Sequence, residues 1–183
     1  SMRRNIDMTY VVMDNHVYGL TKGQASPRSD LGFQTVTSPE GTIENPISAI
    51  GLALASGATF IAQTTARDIQ GAAELIRQGM EHKGFAFINI FSPCVTYNPK
   101  NTYDWFAEHI KPLAEIEGYD PSNKMHALDA LEKYDGLMTG VIYQDTTQKD
   151  YQAKLTHSLA TPLTELSLEL DKDVFETWKK SYM

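Results

Sequence analysis

A chain of 183 residues, 42% hydrophobic and 21% charged, is long enough for one domain with its own core. Its longest apolar stretches run to about seven residues, well short of the ~20 a membrane helix needs. The net charge of −7 argues against nucleic acid as the main partner, and a single cysteine, Cys94, makes no internal disulfide, so a reducing cytoplasm is expected. No charged-then-apolar leader precedes the first strand, and Ser1-Met2 reads as an expression scar. Residues 1–28 carry Arg3, Arg4, Lys22 and Arg28 against Asp7 and Asp14. They sum to +2 and leave −9 for the rest. A basic opening on an acidic chain suits an anionic ligand, or is only a solvated surface.

Taken in chain order, Thr9–Met13 is an apolar run with little alternation, which predicts a strand buried on both faces in the middle of a parallel sheet. Residues 16–45 hold Gly19, Gly23, Pro27, Gly32, Pro39 and Gly41 and almost no apolar period. A loop that long inside a compact domain is usually functional. Asn45-Pro46 then reads as an N-cap and first turn, with Ile47, Ile50 and Leu54 on one helical face and Gly57 closing the helix. Thr59–Gln63 is a second strand. Asp68 caps a helix to His82 whose inner face is Ala72, Leu75, Ile76 and Met80, and Phe85–Phe91 is a third strand. The alternation predicts an α/β fold, a mainly parallel sheet flanked by helices, over residues 3–144.

Beyond Cys94 the pattern shortens. Asn101 or Thr102 caps a helix with Trp105, Phe106 and Ile110, Ser122 or Asn123 caps another to Tyr134, and Met138–Gln144 is one more strand. Residues 145–183 read as an extension of unknown role, polar to 170 and helical from Asp171 to Tyr182. In parallel strands the carboxyl ends share an edge, so Asp14-Asn15, Gln63-Thr64-Thr65 and Ser92-Pro93-Cys94 fall where open α/β sheets hold ligands.

The run Asp14 to Gln24 is the densest chemical signal. Two glycines let backbone N–H groups approach phosphate oxygens, and an asparagine with backbone carbonyls offers the hard oxygens a divalent cation takes. A plain strand-ending turn has much the same composition. His16, His82, His109, His126 and His157 lack metal-ligand spacing and read as packing or surface residues. Glu115, Glu117 and Asp120 read as a solvated loop.

Asp-Asn-x-x-Tyr-Gly-x-Thr-Lys-Gly-Gln-x-Ser-Pro, which runs from Asp14 to Pro27, is similar to the thiamine-diphosphate loop of the β subunits of 2-oxoacid:ferredoxin oxidoreductases. Arg3-Arg4-Asn5, Gly84-Phe85-Ala86-Phe87 and Ser92-Pro93-Cys94 match in order and spacing, so the resemblance covers residues 3 to about 143. It implies a thiamine-diphosphate-binding fold, incomplete at its N-terminus. It also implies oxidative decarboxylation of a 2-oxoacid to an acyl-coenzyme A with reduction of ferredoxin. The Thr-Lys-Gly-Gln context resembles the 2-oxoglutarate or broad 2-oxoacid branch.

Residue by residue, the resemblance implies Mg²⁺ on the Asn15 side chain and the Val17 carbonyl. Tyr18, Gly19 and Leu20 would line thiamine diphosphate, Thr21 would reach a phosphate, and Lys22 would meet the 2-oxoacid carboxylate. Cys94 would be the fourth thiolate of a [4Fe–4S] cluster in the complete subunit only. The other three cysteines and an acidic Gly-Asp-Gly segment belong to the family's N-terminal part and have no counterpart here. The activating glutamate belongs to the α subunit, so no catalytic residue is nominated. The α subunit, ferredoxin, a 2-oxoacid and coenzyme A are the implied partners, with neither nucleic acid nor membrane. A non-oxidative thiamine-diphosphate decarboxylase or carboligase, and a non-catalytic partner-binding module, are the competing expectations.

Overall fold

The computed structural model describes residues 1–155, 163–165, 169 and 171–182. The chain divides into two compact units, Ser1–Gln152 and Ala153–Met183. In the first, β1 (Met8–Asp14), α1 (Ala49–Ser56), β2 (Phe60–Thr65), α2 (Ile69–Glu81) and β3 (Phe85–Phe91) form the α/β part. They are followed by α3 (Tyr103–His109), the two-residue β4 (Lys111–Pro112), α4 (Lys124–Lys133) and β5 (Met138–Gln144). The short α5 (Tyr151–Lys154) reaches the boundary, and α6 (Lys172–Ser181), capped by the Asp171 side chain, lies in the second unit.

The five strands are ordered β1-β3-β2-β5-β4. β3 pairs in parallel with both β1 and β2, and β5 runs antiparallel to β2. This is the mainly parallel α/β sheet that the alternation predicts. β4 is too short to be legible as a strand.

The period of two along β3 divides the core between the two faces. Phe85 and Phe87 pack with Ile50, Leu54, Ile61 and Met138 beneath α1 and α4. Ala86, Ile88 and Ile90 pack with Phe60 and Leu75 beneath α2. Each large side chain so buried contributes about 1.5–3 kcal/mol. Both faces of the central strands are therefore covered, which is why β3 reads as seven consecutive buried residues.

Three local expectations are corrected. β1 is an edge strand, not a central one: Tyr10 is 50% and Met13 59% exposed, because among the described residues only β3 pairs with it. The helix after the long loop starts at Ala49 with Ser48 as its cap, the Ser48 Oγ accepting from Gly51 N–H at 3.0 Å. Asn45-Pro46 does not start it because Ile47 is held by the loop: its N–H donates to the Pro27 carbonyl at 2.8 Å, and its carbonyl accepts from Arg28. On α2, Met80 is 70% exposed, and Gly79 takes the inner position against Ile88 and Ala86.

The other caps, Asp68, Thr102 and Asn123, stand as predicted. Gly57 ends α1 in the left-handed region, φ 83°, where a side chain is costly. At the amino ends of the strands, Asn5 Oδ1 accepts from Thr59 Oγ1 at 2.7 Å and from Phe85 N–H at 2.9 Å. Thr59 Oγ1 in turn lies 2.7 Å from His82 Nε2.

Candidate functional site

The apolar strand β1 ends at Asp14, and the chain turns sharply there because His16 adopts the left-handed conformation, φ 58°. The Asn15 Oδ1 accepts the Val17 N–H at 3.1 Å, an Asx turn that leaves one lone pair of that oxygen open. Among the described residues no donor reaches the Val17 carbonyl. Two hard oxygens thus stand two residues apart at the carboxyl end of a parallel strand.

Residues 18–24 close into a tight hairpin. The Tyr18 N–H donates to Gln24 O at 2.9 Å, Gly23 N–H to Tyr18 O at 3.0 Å, and Thr21 Oγ1 to Tyr18 O at 3.2 Å. Leu20 is fully exposed at the tip and Lys22 is exposed beside it, its backbone also left-handed at φ 71°. Thr21 spends its hydroxyl hydrogen on Tyr18, which leaves its lone pairs but no free donor for a phosphate.

The second strand end arrives at the same place. The Ser92 N–H donates to Asp14 O at 2.7 Å, which carries Cys94 alongside the loop. A Cβ placed on Gly19 would lie 3.4 Å from Cys94 Sγ and 3.8 Å from Asn15 Nδ2, so the glycine leaves space in which these groups meet. Gly23 is required more strictly: at φ 91° its added Cβ would collide with the Tyr97 ring at 2.8 Å. The structure therefore brings Asn15, Val17, Gly19 and Cys94 together, with Tyr18, Leu20, Thr21 and Lys22 on the rim.

Beneath the loop lies a buried polar cluster that the sequence did not disclose. Asp14, 4% exposed, accepts Arg28 Nε at 2.8 Å on Oδ2 and the His16 N–H at 3.3 Å on Oδ1. Burial pushes the Asp14 carboxyl up, but hydrogen bonding with His16 and the Arg28 charge outweigh it and hold it at about 2. Burial pulls His16 down, while the carboxylates of Asp14 and Asp30 outweigh it and raise it above the ordinary histidine value. Among the described residues His16 Nδ1 has no hydrogen-bond partner, and it stands 3.7 Å from Asp30 Oδ1.

An asparagine ladder continues the cluster. Asn98 Nδ2 donates to Asn15 O at 3.4 Å and to Asn101 Oδ1 at 2.9 Å, and Asn101 Nδ2 donates to Asp30 at 3.1 Å. Lone polar residues scattered from Asp14 to Asn101 have no periodicity to find them by. Between this cluster and α4 lies a cavity of about 260 Å³, lined in part by His16, Arg28, Gln63, Trp105 and Gly136. Neither Asn15 nor any of residues 17–22 lines it.

Among the described residues no three His, Cys, Asp or Glu side chains are grouped to hold a metal. One thiol does not hold a four-iron cluster, so the donors present do not fit that group by themselves. The Asn15 amide oxygen and the Val17 carbonyl are hard-oxygen donors of the kind Mg²⁺ takes, and a full octahedral shell would need phosphate, water or further protein besides. No described helix is long and apolar enough to cross a membrane.

A parallel-sheet α/β domain with a glycine-spaced oxygen loop at its strand ends is the form of a thiamine-diphosphate enzyme domain. Residues 1–90 match the family model for the thiamine pyrophosphate enzyme C-terminal TPP binding domain, and residues 94–158 match that for the C terminal of the pyruvate ferredoxin oxidoreductase beta subunit. The β subunit of the 2-oxoacid:ferredoxin oxidoreductase of Saccharolobus solfataricus is 37% identical over 163 residues, 84% of this chain and 53% of that protein. The 2-oxoglutarate synthase subunit KorB of Methanocaldococcus jannaschii is 38% identical over 141 residues, 76% of this chain and 50% of that one. In solved form, the 2-oxoglutarate:ferredoxin oxidoreductase of Magnetococcus marinus, with 2-oxoglutarate, coenzyme A and succinyl-CoA bound, superposes with a TM-score of 0.77 at 40% identity. That match covers 83% of this chain and 52% of the other. The chain belongs to the β subunits of the 2-oxoacid:ferredoxin oxidoreductases, and it spans about half the length of the relatives it matches.

Proposed function

We propose that this chain is the thiamine-diphosphate-binding part of an oxidoreductase β subunit that acts with an α subunit on a 2-oxoacid, 2-oxoglutarate foremost. The products would be carbon dioxide, an acyl-coenzyme A and reduced ferredoxin. The observation that carries this reading is the meeting of the Asn15 side chain, the Gly19 position and Cys94 at the carboxyl end of β1, beside a Val17 carbonyl that no described donor reaches. The relatives named for 2-oxoglutarate, and the 2-oxoglutarate and coenzyme A bound in the Magnetococcus protein, support the substrate class.

Thiamine diphosphate, when bound, supplies the carbon nucleophile and the electron sink that decarboxylation of a 2-oxoacid needs. The chain's own residues bind and orient. Asn15 Oδ1 and Val17 O would hold Mg²⁺, and Tyr18, Gly19 and Leu20 would line the cofactor. The Thr21 hydroxyl oxygen, with its hydrogen committed to Tyr18, would face a phosphate through the metal or a water. Lys22, exposed on the rim, would offer its ammonium to the substrate carboxylate as a point charge. Cys94 would contribute one thiolate to a [4Fe–4S] cluster whose other ligands come from outside this chain.

Calorimetric titration of the complete subunit with Mg²⁺ and thiamine diphosphate tests the reading. Binding that requires Mg²⁺ and is weakened by Asn15→Ala is expected. Absence of binding, or binding indifferent to Asn15, would refute it.

A further inference from the structure

We propose that Arg28 is a positioning residue for the metal loop, an inference that rests on the cofactor reading above. Arg28 lies 13 residues beyond Asn15 in sequence, yet its guanidinium reaches back to the root of the loop. Nε donates to Asp14 Oδ2 at 2.8 Å, Nη2 stands 3.1 Å from His16 Nε2, and Nη1 donates to the Ile47 carbonyl. Those three acceptors belong to the end of β1, the first turn of the loop and the segment that leads into α1. One planar fork therefore ties the entrance of a loop of about thirty residues to its exit.

The consequence runs through Asp14. Its side chain is 3% exposed, and the one full cation against it among the described residues is Arg28. Without the guanidinium, the buried Asp14 carboxylate loses both its counter-charge and the Nε hydrogen bond that fixes its orientation. Asp14 is bonded directly to Asn15, and its carbonyl receives the Ser92 N–H that holds the Ser92-Pro93-Cys94 turn in place. A backbone shift at Asp14 would therefore move the proposed metal oxygen of Asn15 and the Cys94 turn together. A lysine keeps the charge but reaches only one of the three acceptors, so it restores part of the effect.

Titrate Mg²⁺ at saturating thiamine diphosphate into the oxidoreductase assembled from the complete β subunit and its α subunit, following binding by calorimetry and fluorescence. Outer-shell partners of metal ligands typically set affinity by ~10–100-fold. Arg28→Ala is therefore expected to raise the Mg²⁺ concentration for half-saturation about tenfold or more, with the same number of sites filled at saturating Mg²⁺. Arg28→Lys should fall between it and the wild type, and it carries the test if Arg28→Ala does not fold. Asn15→Ala in the same titration reports on the cofactor reading independently. Arg28 variants that titrate within twofold of wild type while Asn15→Ala shifts overturn the role of Arg28 and leave the cofactor reading standing. Fewer filled sites with an unmoved midpoint reveal a folding defect, and this also overturns it. A wild type that takes up no Mg²⁺ with the cofactor removes the cofactor reading and the inference with it.

Discussion

Asn15 and Lys22 sit seven residues apart on one loop, and the roles proposed for them predict different failures. Asn15 is half-buried and among the described residues only the Val17 N–H bonds its side-chain oxygen, so in the assembled enzyme Asn15→Ala should raise the cofactor and Mg²⁺ concentrations needed while activity returns at high cofactor. Lys22 stands exposed with a left-handed backbone, and alanine keeps a Cβ there, so Lys22→Ala removes the ammonium without relieving backbone strain. A lost charge-assisted contact of about 1.5–3 kcal/mol should appear as a raised KM for 2-oxoacids at saturating cofactor. Lost cofactor affinity with an unmoved KM would make Lys22 a phosphate ligand instead. At the opposite end of the sheet, burial lowers His82 below its ordinary value. The folded state then binds the proton less readily than the unfolded chain, so this contribution is complete above about pH 6.5 and is lost as pH falls through the folded value. The thermal midpoint should drop on acidification from pH 7 to 5, and His82→Gln, which can still donate to Thr59, should flatten that drop.

Among the elements, α2 shows how closely helix and sheet approach. A Cβ on Gly79 would lie 2.9 Å from Ile88 Cδ1, 3.1 Å from Thr9 Cγ2 and 3.3 Å from Ala86 Cβ. Gly79→Leu should overpack this seam and destabilise the domain by about 1–3 kcal/mol, read as a lowered thermal midpoint. The turn after β3 is the other element with a clear consequence. It rests on the Ser92–Asp14 hydrogen bond and on the Phe91–Phe106 stack at 4.5 Å, neither of which involves the Cys94 thiol. In the complete β chain, Cys94→Ala should therefore remove iron and ferredoxin reduction while most of the fold remains. Iron content unchanged by the substitution would show that Cys94 is not a cluster ligand. The β1 edge lacks the lysines, prolines or bulges that usually protect one, and it exposes Met8, Tyr10, Val11 and Met13.

For the whole molecule, the proposed octahedral ion would take only two oxygen donors from this chain, which matches about half the length of its relatives. Residues 1–183 alone should bind thiamine diphosphate in the millimolar range and turn over no 2-oxoacid, as direct calorimetry would record. A micromolar dissociation constant for the chain by itself would contradict this.

The α/β alternation, the third strand, most caps and the candidate cofactor loop were legible because each is written in consecutive residues. Apolar runs mark buried strands, side-chain oxygens mark helix starts, and Asp14 to Pro27 carries its family pattern whole. The sequence by itself thus determined which segments form elements and which loop holds the candidate chemistry. Only the tertiary structure decided that the apolar β1 lies at an edge, since hydrophobicity along a strand does not say what stands beside it. It also moved the start of α1 to Ser48, because contacts of Ile47 with Pro27 and Arg28, some twenty residues away, outweigh a local proline signal. Asp14, His16, Arg28, Asp30, Asn98 and Asn101 become one cluster in the same way: their hydrogen bonds join positions up to 83 residues apart, and no pattern along the chain encodes such a meeting.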